Sequence, residues 1–277
     1  MCGWPRSRSP CSSSGGSRRQ VADHREGAHH DAHPGTHPDA HYADERLARV
    51  YDAFEGPRDD LDLYMSIAQA VGATSVLDVG CGTGAFALFA QRAGMAAAGI
   101  DPAQAMLDVA RHKPGGEFVD WFCADSLHPP PVSADFATMT GNVAQVFLTD
   151  DAWAATLNAL AQRLVPGGHL VFETRRPEAR AWEAWARAEP VEHHVPGIGR
   201  VRETRTDVVA HPPLVSFAQV YAFPHGEELR SESTLRFRGR DENRAALGAA
   251  GFDVLEIRDA PDRPGAEDVY VCQKVIR

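Results

Sequence analysis

The segment Val76-Leu77-Asp78-Val79-Gly80-Cys81-Gly82-Thr83-Gly84 constrains this chain more than any other. An apolar run that closes on an acid and three closely spaced glycines describes a strand turning sharply into a helix. Glycine is required where backbone adopts left-handed torsions and approaches a ligand closely, and the free N–H groups that open the next helix face the same crevice. Spacing narrows the reading further. A dinucleotide loop places its glycines as G-x-G-x-x-G, whereas here the third glycine comes one residue early and Asp78 stands two before the first.

A chain of 277 residues buries a substantial core, and it reads best as one α/β domain carrying an insertion. Hydrophobic content of 43% and charged content of 24% are ordinary for a soluble protein. No apolar run approaches the ~20 residues of a spanning helix, so a cytoplasmic protein without a membrane partner is expected. The formal net charge is −10, with no segment that gathers Lys and Arg on one face. A nucleic-acid backbone meets repulsion from such a surface, which points to a small-molecule partner and leaves the oligomeric state open. Cys2, Cys11, Cys81, Cys123 and Cys272 are odd in number and lack C-x-x-C spacing, which argues against a disulfide framework and a thiolate metal site.

Residues 1–41 are rich in Ser, Gly, Pro, Arg and His and carry almost no apolar periodicity, so a disordered tail is predicted there. His24, His29, His30, His33, His37 and His41 read as solvated tail rather than as a metal site. From Tyr42 the pattern turns helical through Leu47, Val50, Tyr51 and Phe54, and a second amphipathic stretch runs from Leu61 to Val71. Strands and helices then alternate: strands at 75–79, 96–100, 117–123, 134–140 and 169–174, with helices at 85–93, after Pro102 to 112, and 150–164. This alternation predicts a parallel sheet covered on both faces, a Rossmann-like doubly wound α/β fold. It breaks beyond Glu178, where 200–209, 214–222 and 229–238 read as an antiparallel β meander inserted over 179–240. A helix at 241–250 and strands at 252–257 and 268–275 return to the main pattern.

The Asp-x-Gly-x-Gly-x-Gly order of the first loop resembles motif I of the class I S-adenosylmethionine-dependent methyltransferases, and the spacing of later motifs extends the resemblance from residue 42 to 277. It implies a seven-stranded sheet whose last strand is antiparallel, with S-adenosylmethionine as cofactor. It also implies roles. Asp78, Gly80, Cys81, Gly82 and Gly84 would line or orient the methionine part. Asp101, followed by Pro102, would hold the ribose hydroxyls, and Asp125-Ser126 would read the adenine. Taken without the resemblance, Asp101 suits a helix cap and Asp125 a loop cap, and Cys81 suits packing.

Ligands in doubly wound sheets sit beyond the carboxyl ends of the strands, which places Thr140 and Asn142 at the cofactor and Asn142 or Gln145 near an acceptor. Tyr51 is expected to face the transferred methyl group, while Tyr42 reads as core and Arg58 as a surface arginine. His193, His194, His211 and His225 read as surface histidines, and Trp182 and Trp185 as pocket wall or packing. The Gly-Asn-Val-Ala run at 141–144 lacks the Asn/Asp-Pro-Pro-aromatic motif of base methyltransferases, which disfavours nucleic-acid substrates. The reading is therefore methyl transfer to an N or O atom of a small molecule, with no metal. Two rivals stand beside it: a binding module that holds the cofactor without turnover, and an NAD-dependent oxidoreductase that the short glycine spacing opposes.

Overall fold

The computed structural model describes residues 38–276. The helices α1 (Ala40–Ala43), α2 (Glu45–Glu55) and α3 (Leu61–Ala70) lead into β1 (Ser75–Val79), α4 (Ala85–Arg92), β2 (Ala96–Asp101), α5 (Gln104–His112), β3 (Asp120–Cys123), β4 (Ala134–Met139), α6 (Asp150–Arg163) and β5 (Leu164–Arg175). After a short helix α7 (Ala181–Trp185) come β6 (Val191–Val195), β7 (Gly199–His211), β8 (Leu214–Ala222) and β9 (Glu228–Arg236), then α8 (Arg240–Ala249), β10 (Phe252–Asp259) and β11 (Glu267–Lys274).

Seven strands form one sheet in the order β10-β11-β5-β4-β1-β2-β3. β1 to β5 run parallel, and β11 is antiparallel to both its neighbours. The expected doubly wound sheet with its reversed last strand is thus realised. Alternation along β1 explains the two layers: Val76 packs with Tyr64, Phe86 and Ala87 on the α3/α4 face, while Leu77 and Val79 pack with Trp153, Leu157 and Leu247 on the α6/α8 face.

Four antiparallel strands, β6-β7-β8-β9, make a separate sheet. Three were expected. β6 escaped because its residues are mostly exposed, Val191 at 49%, and carry no apolar alternation. This sheet docks on α2, where Leu47 and Val50 meet Val201 and Tyr221. It is tied to the N-terminus of α6 as well, because Arg236 Nη1 donates to the Leu148 carbonyl and Arg238 Nη2 to that of Thr149.

The folded part begins earlier than the sequence pattern indicates. Residues 38–41, assigned above to the tail, include the start of α1, and His41 is buried. The rest of the predicted tail, with His24, His29, His30, His33, His37, Cys2 and Cys11, lies outside the described residues. Two smaller boundaries move too: a short 3-10 turn at Gly116–Phe118 occupies the start of the third predicted strand, and α5 begins at Gln104 rather than at Pro102. Among the described residues, no helix is long and apolar enough to cross a membrane.

Candidate active site

The glycine loop closes β1 onto β2. Gly80 and Cys81 both donate their N–H groups to the Ile100 carbonyl, and Gly80, Gly82 and Gly84 all have positive φ, at 67°, 53° and 81°. The three glycines then serve different ends. A Cβ on Gly82 would meet nothing within 4 Å, so this residue opens onto the cavity described below. A Cβ on Gly80 would lie 2.6 Å from Val143, and one on Gly84 2.4 Å from Trp121. Gly84 is therefore a packing glycine at the head of α4, and it does not line the cavity.

A cavity of about 660 Å³ lies between the carboxyl ends of β1 to β4 and the inner face of the meander. Small-molecule sites typically fall between about 300 and 1,000 Å³. Of the residues predicted for the site, Tyr51, Gly80, Cys81, Gly82, Asp101, Pro102, Asp125, Ser126 and Thr140 line it. Asp78, Gly84 and Asn142 do not.

Asp101 is the centre of this wall. Its Oδ2 accepts from Gly82 N at 2.8 Å and its Oδ1 from Ala103 N at 2.8 Å, so one buried carboxylate fastens the glycine loop to the turn after β2. Burial pushes its carboxyl up to about 6, against the lowering effect of those two N–H groups. The helix-cap reading fails in detail, because the N-cap of α5 is Ala103. Asp125 does act as a loop cap: its Oδ1 accepts from Leu127 N and His128 N at 2.9 and 2.8 Å, while the residue still borders the cavity. Ser126 Oγ lies 3.2 Å from Thr156 Oγ1. Cys81 is a buried thiol with its pKa raised well above the ordinary value by desolvation, which suits packing rather than nucleophilic chemistry.

Two of the residues expected at the site lie behind its wall. Asp78 sits beneath the loop, where its Oδ1 accepts from Thr138 Oγ1 at 2.9 Å and its Oδ2 is buried without a partner. Burial holds its carboxyl at about 6. Asn142 adopts a left-handed conformation with φ 62°, and its side chain turns to Glu267, with Nδ2 at 3.3 Å from both carboxylate oxygens. The cavity wall at this turn is made by Thr140, Gly141 and Val143 instead. Glu173, in β5, supports the turn: its Oε1 accepts from Gly141 N at 2.7 Å and Asn142 N at 3.2 Å, and its Oε2 accepts from Tyr64 at 2.7 Å.

Besides Tyr51, the N-terminal segment supplies wall residues that the sequence reading favoured elsewhere. Tyr42, expected in the core, and Arg58, expected on the surface, both line the cavity. Arg58 is held by a bidentate pair with Asp60, both bonds 2.9 Å. Thr83 donates to Asp52 Oδ1 at 2.5 Å, which pins α2 to the glycine loop. At the meander end the lining includes Phe217, Ser233 and Thr234, together with Arg230, which is paired with Asp207 at 2.7 Å and Glu232 at 3.1 Å. His193, His194, His211 and His225 do not line the cavity, and Trp182 and Trp185 pack on Phe237. Gln145 is buried on Arg175 and the Arg236 carbonyl.

A family model described as a methyltransferase domain matches residues 40–201. The chain belongs to this family. Its cofactor is S-adenosylmethionine, and the open cradle over Gly82 and the acidic wall at Asp101 fit a ligand with a hydroxylated sugar. Among curated proteins it is 27% identical over 162 residues to the biotin biosynthesis bifunctional protein BioHC of Saccharophagus degradans, a match that covers 53% of this chain and 29% of that protein. The matched region thus spans less than a third of the relative's length. Among solved structures, the amino pentose methyltransferase CalS10 of Micromonospora echinaspora is 24% identical, with 82% of this chain and 97% of that one covered and a TM-score of 0.63. The sugar N-methyltransferase KedS8 of Streptoalloteichus sp. is 20% identical, with coverages of 92% and 99% and a TM-score of 0.66. At these identities the likeness of this methyltransferase to both is one of fold.

Proposed function

We propose that this methyltransferase moves the methyl group of S-adenosylmethionine to a nitrogen or oxygen of a small molecule seated between the glycine loop and the meander, releasing S-adenosylhomocysteine. One observation carries the reading: a single cavity is shared by the glycine loop at one end and by β8 and β9 at the other. The cofactor supplies a methyl group already activated on a sulfonium, so the protein's task is alignment and exclusion of water.

In this reading Gly82 and the adjacent amides cradle the amino-acid end, and Arg58 faces its carboxylate. Asp101 accepts from the sugar hydroxyls through the lone pairs its two backbone donors leave available. Asp125 and Ser126 border the base. Tyr51 and Tyr42 wall the transfer region, and no described residue hydrogen-bonds their hydroxyls, which leaves both for ligand. Asn142 has a supporting role, in the turn behind Gly141.

Nitrogen is the favoured acceptor atom. Carboxylates outnumber guanidiniums along the wall, with Asp39, Asp101, Asp125, Asp207 and Glu232 against Arg58 and Arg230, a field that draws a basic amine inward. KedS8, by its description, methylates a sugar nitrogen on the same fold. Incubation with methyl-labelled S-adenosylmethionine and a cell extract, followed by mass analysis of every species that gains label, tests the proposal. The expected result is label on an amine with equal release of S-adenosylhomocysteine. Tight binding of S-adenosylhomocysteine with label on nothing would overturn it in favour of a module that holds the cofactor without turnover.

A further inference from the structure

Arg205, in β7, is a cation without an adequate partner. Its side chain is 26% exposed, and its nearest carboxylate oxygen, Glu203 Oε1, is 4.0 Å away. That oxygen already accepts from Gln219 Nε2 at 2.9 Å. Arg205 makes no side-chain hydrogen bond among the described residues, and its Nε is fully buried without an acceptor. A guanidinium carries five donors, and taking it out of water without acceptors is costly.

What surrounds it is aromatic. Its Cζ lies 5.2 Å from the centroid of Trp185 and 5.1 Å from that of Phe217, and Phe217 lines the cavity. Stacking satisfies the faces of the guanidinium and leaves its edge donors. A second cation shares the indole, because Arg175 Cζ is 5.1 Å from the same Trp185 ring. Arg175 is only partly neutralised: its Nη1 donates to Gln145 Oε1 at 3.0 Å, and its Nε is 3.4 Å from a Glu267 oxygen that Arg263 holds at 2.8 Å. By contrast, Arg230 at the cavity wall is already paired with two carboxylates. Trp185 thus carries two guanidiniums, and Phe217 joins Arg205 to the acceptor end of the cavity, whose lining includes neither arginine; the remaining edge donors of both suit an oxyanion.

We propose that Arg205, with Arg175, is a subsite for a phosphate or carboxylate group carried by the methyl acceptor. The inference rests on the reading that the acceptor occupies the meander end of the cavity. It makes the acceptor a molecule with an anionic group set apart from the nitrogen or oxygen that is methylated.

The test uses the full chain saturated with S-adenosylhomocysteine and titrated calorimetrically, at constant ionic strength, with pyrophosphate and separately with acetate. Saturable binding of at least one anion is expected, and Arg205→Gln should weaken it roughly tenfold or more while S-adenosylhomocysteine binds as before. Arg205→Lys, which keeps charge but loses the planar fork, should fall between the two and serves if the glutamine variant does not fold. Response to pyrophosphate alone identifies a phosphorylated acceptor, and response to acetate alone a carboxylate. Binding of neither anion, or binding that both variants leave unchanged, overturns the subsite. Failure of the protein to bind S-adenosylhomocysteine at all would instead count against the methyltransferase reading beneath it.

Discussion

Asp101 concentrates the site's chemistry in one side chain, since losing it frees both the Gly82 and the Ala103 amide. Asp101→Ala should weaken S-adenosylhomocysteine binding roughly 10- to 100-fold by calorimetry, the scale of a lost charge-assisted hydrogen bond or two. Its carboxyl titrates near 6. Binding is therefore expected to weaken as pH falls from 7 to 5, where the protonated acid gives up acceptor capacity, and Asp101→Asn should flatten that profile. Asp78 titrates in the same range but lies beneath the loop, so Asp78→Asn should keep the dependence. Stability runs the other way for both acids. With folded pKa values above the ordinary 3.8, they hold protons that the unfolded chain releases, so their contribution falls as pH rises from about 4 to about 6 and is constant above. Gly84 offers a contrast in kind. A methyl group there meets Trp121 at 2.4 Å on backbone with φ 81°, so Gly84→Ala should cost about 3 kcal/mol of stability in denaturant unfolding.

Between elements, the contact of α1 with the meander decides how the cavity is closed. His41 N donates to Ser231 Oγ at 2.8 Å, its ring nitrogen lies 3.0 Å from the Tyr221 hydroxyl, and Ser233 donates to Asp39 at 2.5 Å. Burial, with Arg205 nearby, lowers the His41 pKa to about 4. Here the folded protein binds fewer protons than the unfolded chain, so stability is present above the unfolded value of 6.5 and is lost as pH falls toward 4. The loss amounts to about 3 kcal/mol when complete. His41→Gln should remove that acid sensitivity, as read from unfolding midpoints between pH 7 and 4.5. None of this contact was legible in the sequence. His41 belongs to a histidine-rich run with no helical period, and its partners lie 180 and 190 residues away. The β1–α4 turn was legible because its information is local: alternating apolar residues, an acid and glycines whose torsions no other residue tolerates cheaply. Asn142 shows the opposite case. Its position after β4 was read correctly, yet its side chain turned to Glu267, a buried acid from the last strand. Tyr42 and Arg58 became cavity wall for a similar reason, since a helical stripe does not say which neighbour covers it.

At the scale of the molecule, a sheet with two covered faces supplies a rigid floor and the inserted meander supplies the roof. The floor follows from regular alternation, and its seven strands with a reversed last one were predictable from the family resemblance. The roof depends on where an inserted sheet docks, which is fixed by Leu47 and Val50 on Tyr221 and by Arg236 and Arg238 on the turn before α6. Those contacts join segments far apart in the chain, and no local pattern announces them. The reversal of β11 has a practical result. Because this strand runs against the others, it carries the chain toward the pole where Lys274 Nζ reaches the Leu164 carbonyl, while Pro38 borders the cavity. A surface tether attached after Ile276 should therefore leave small molecules free to come and go.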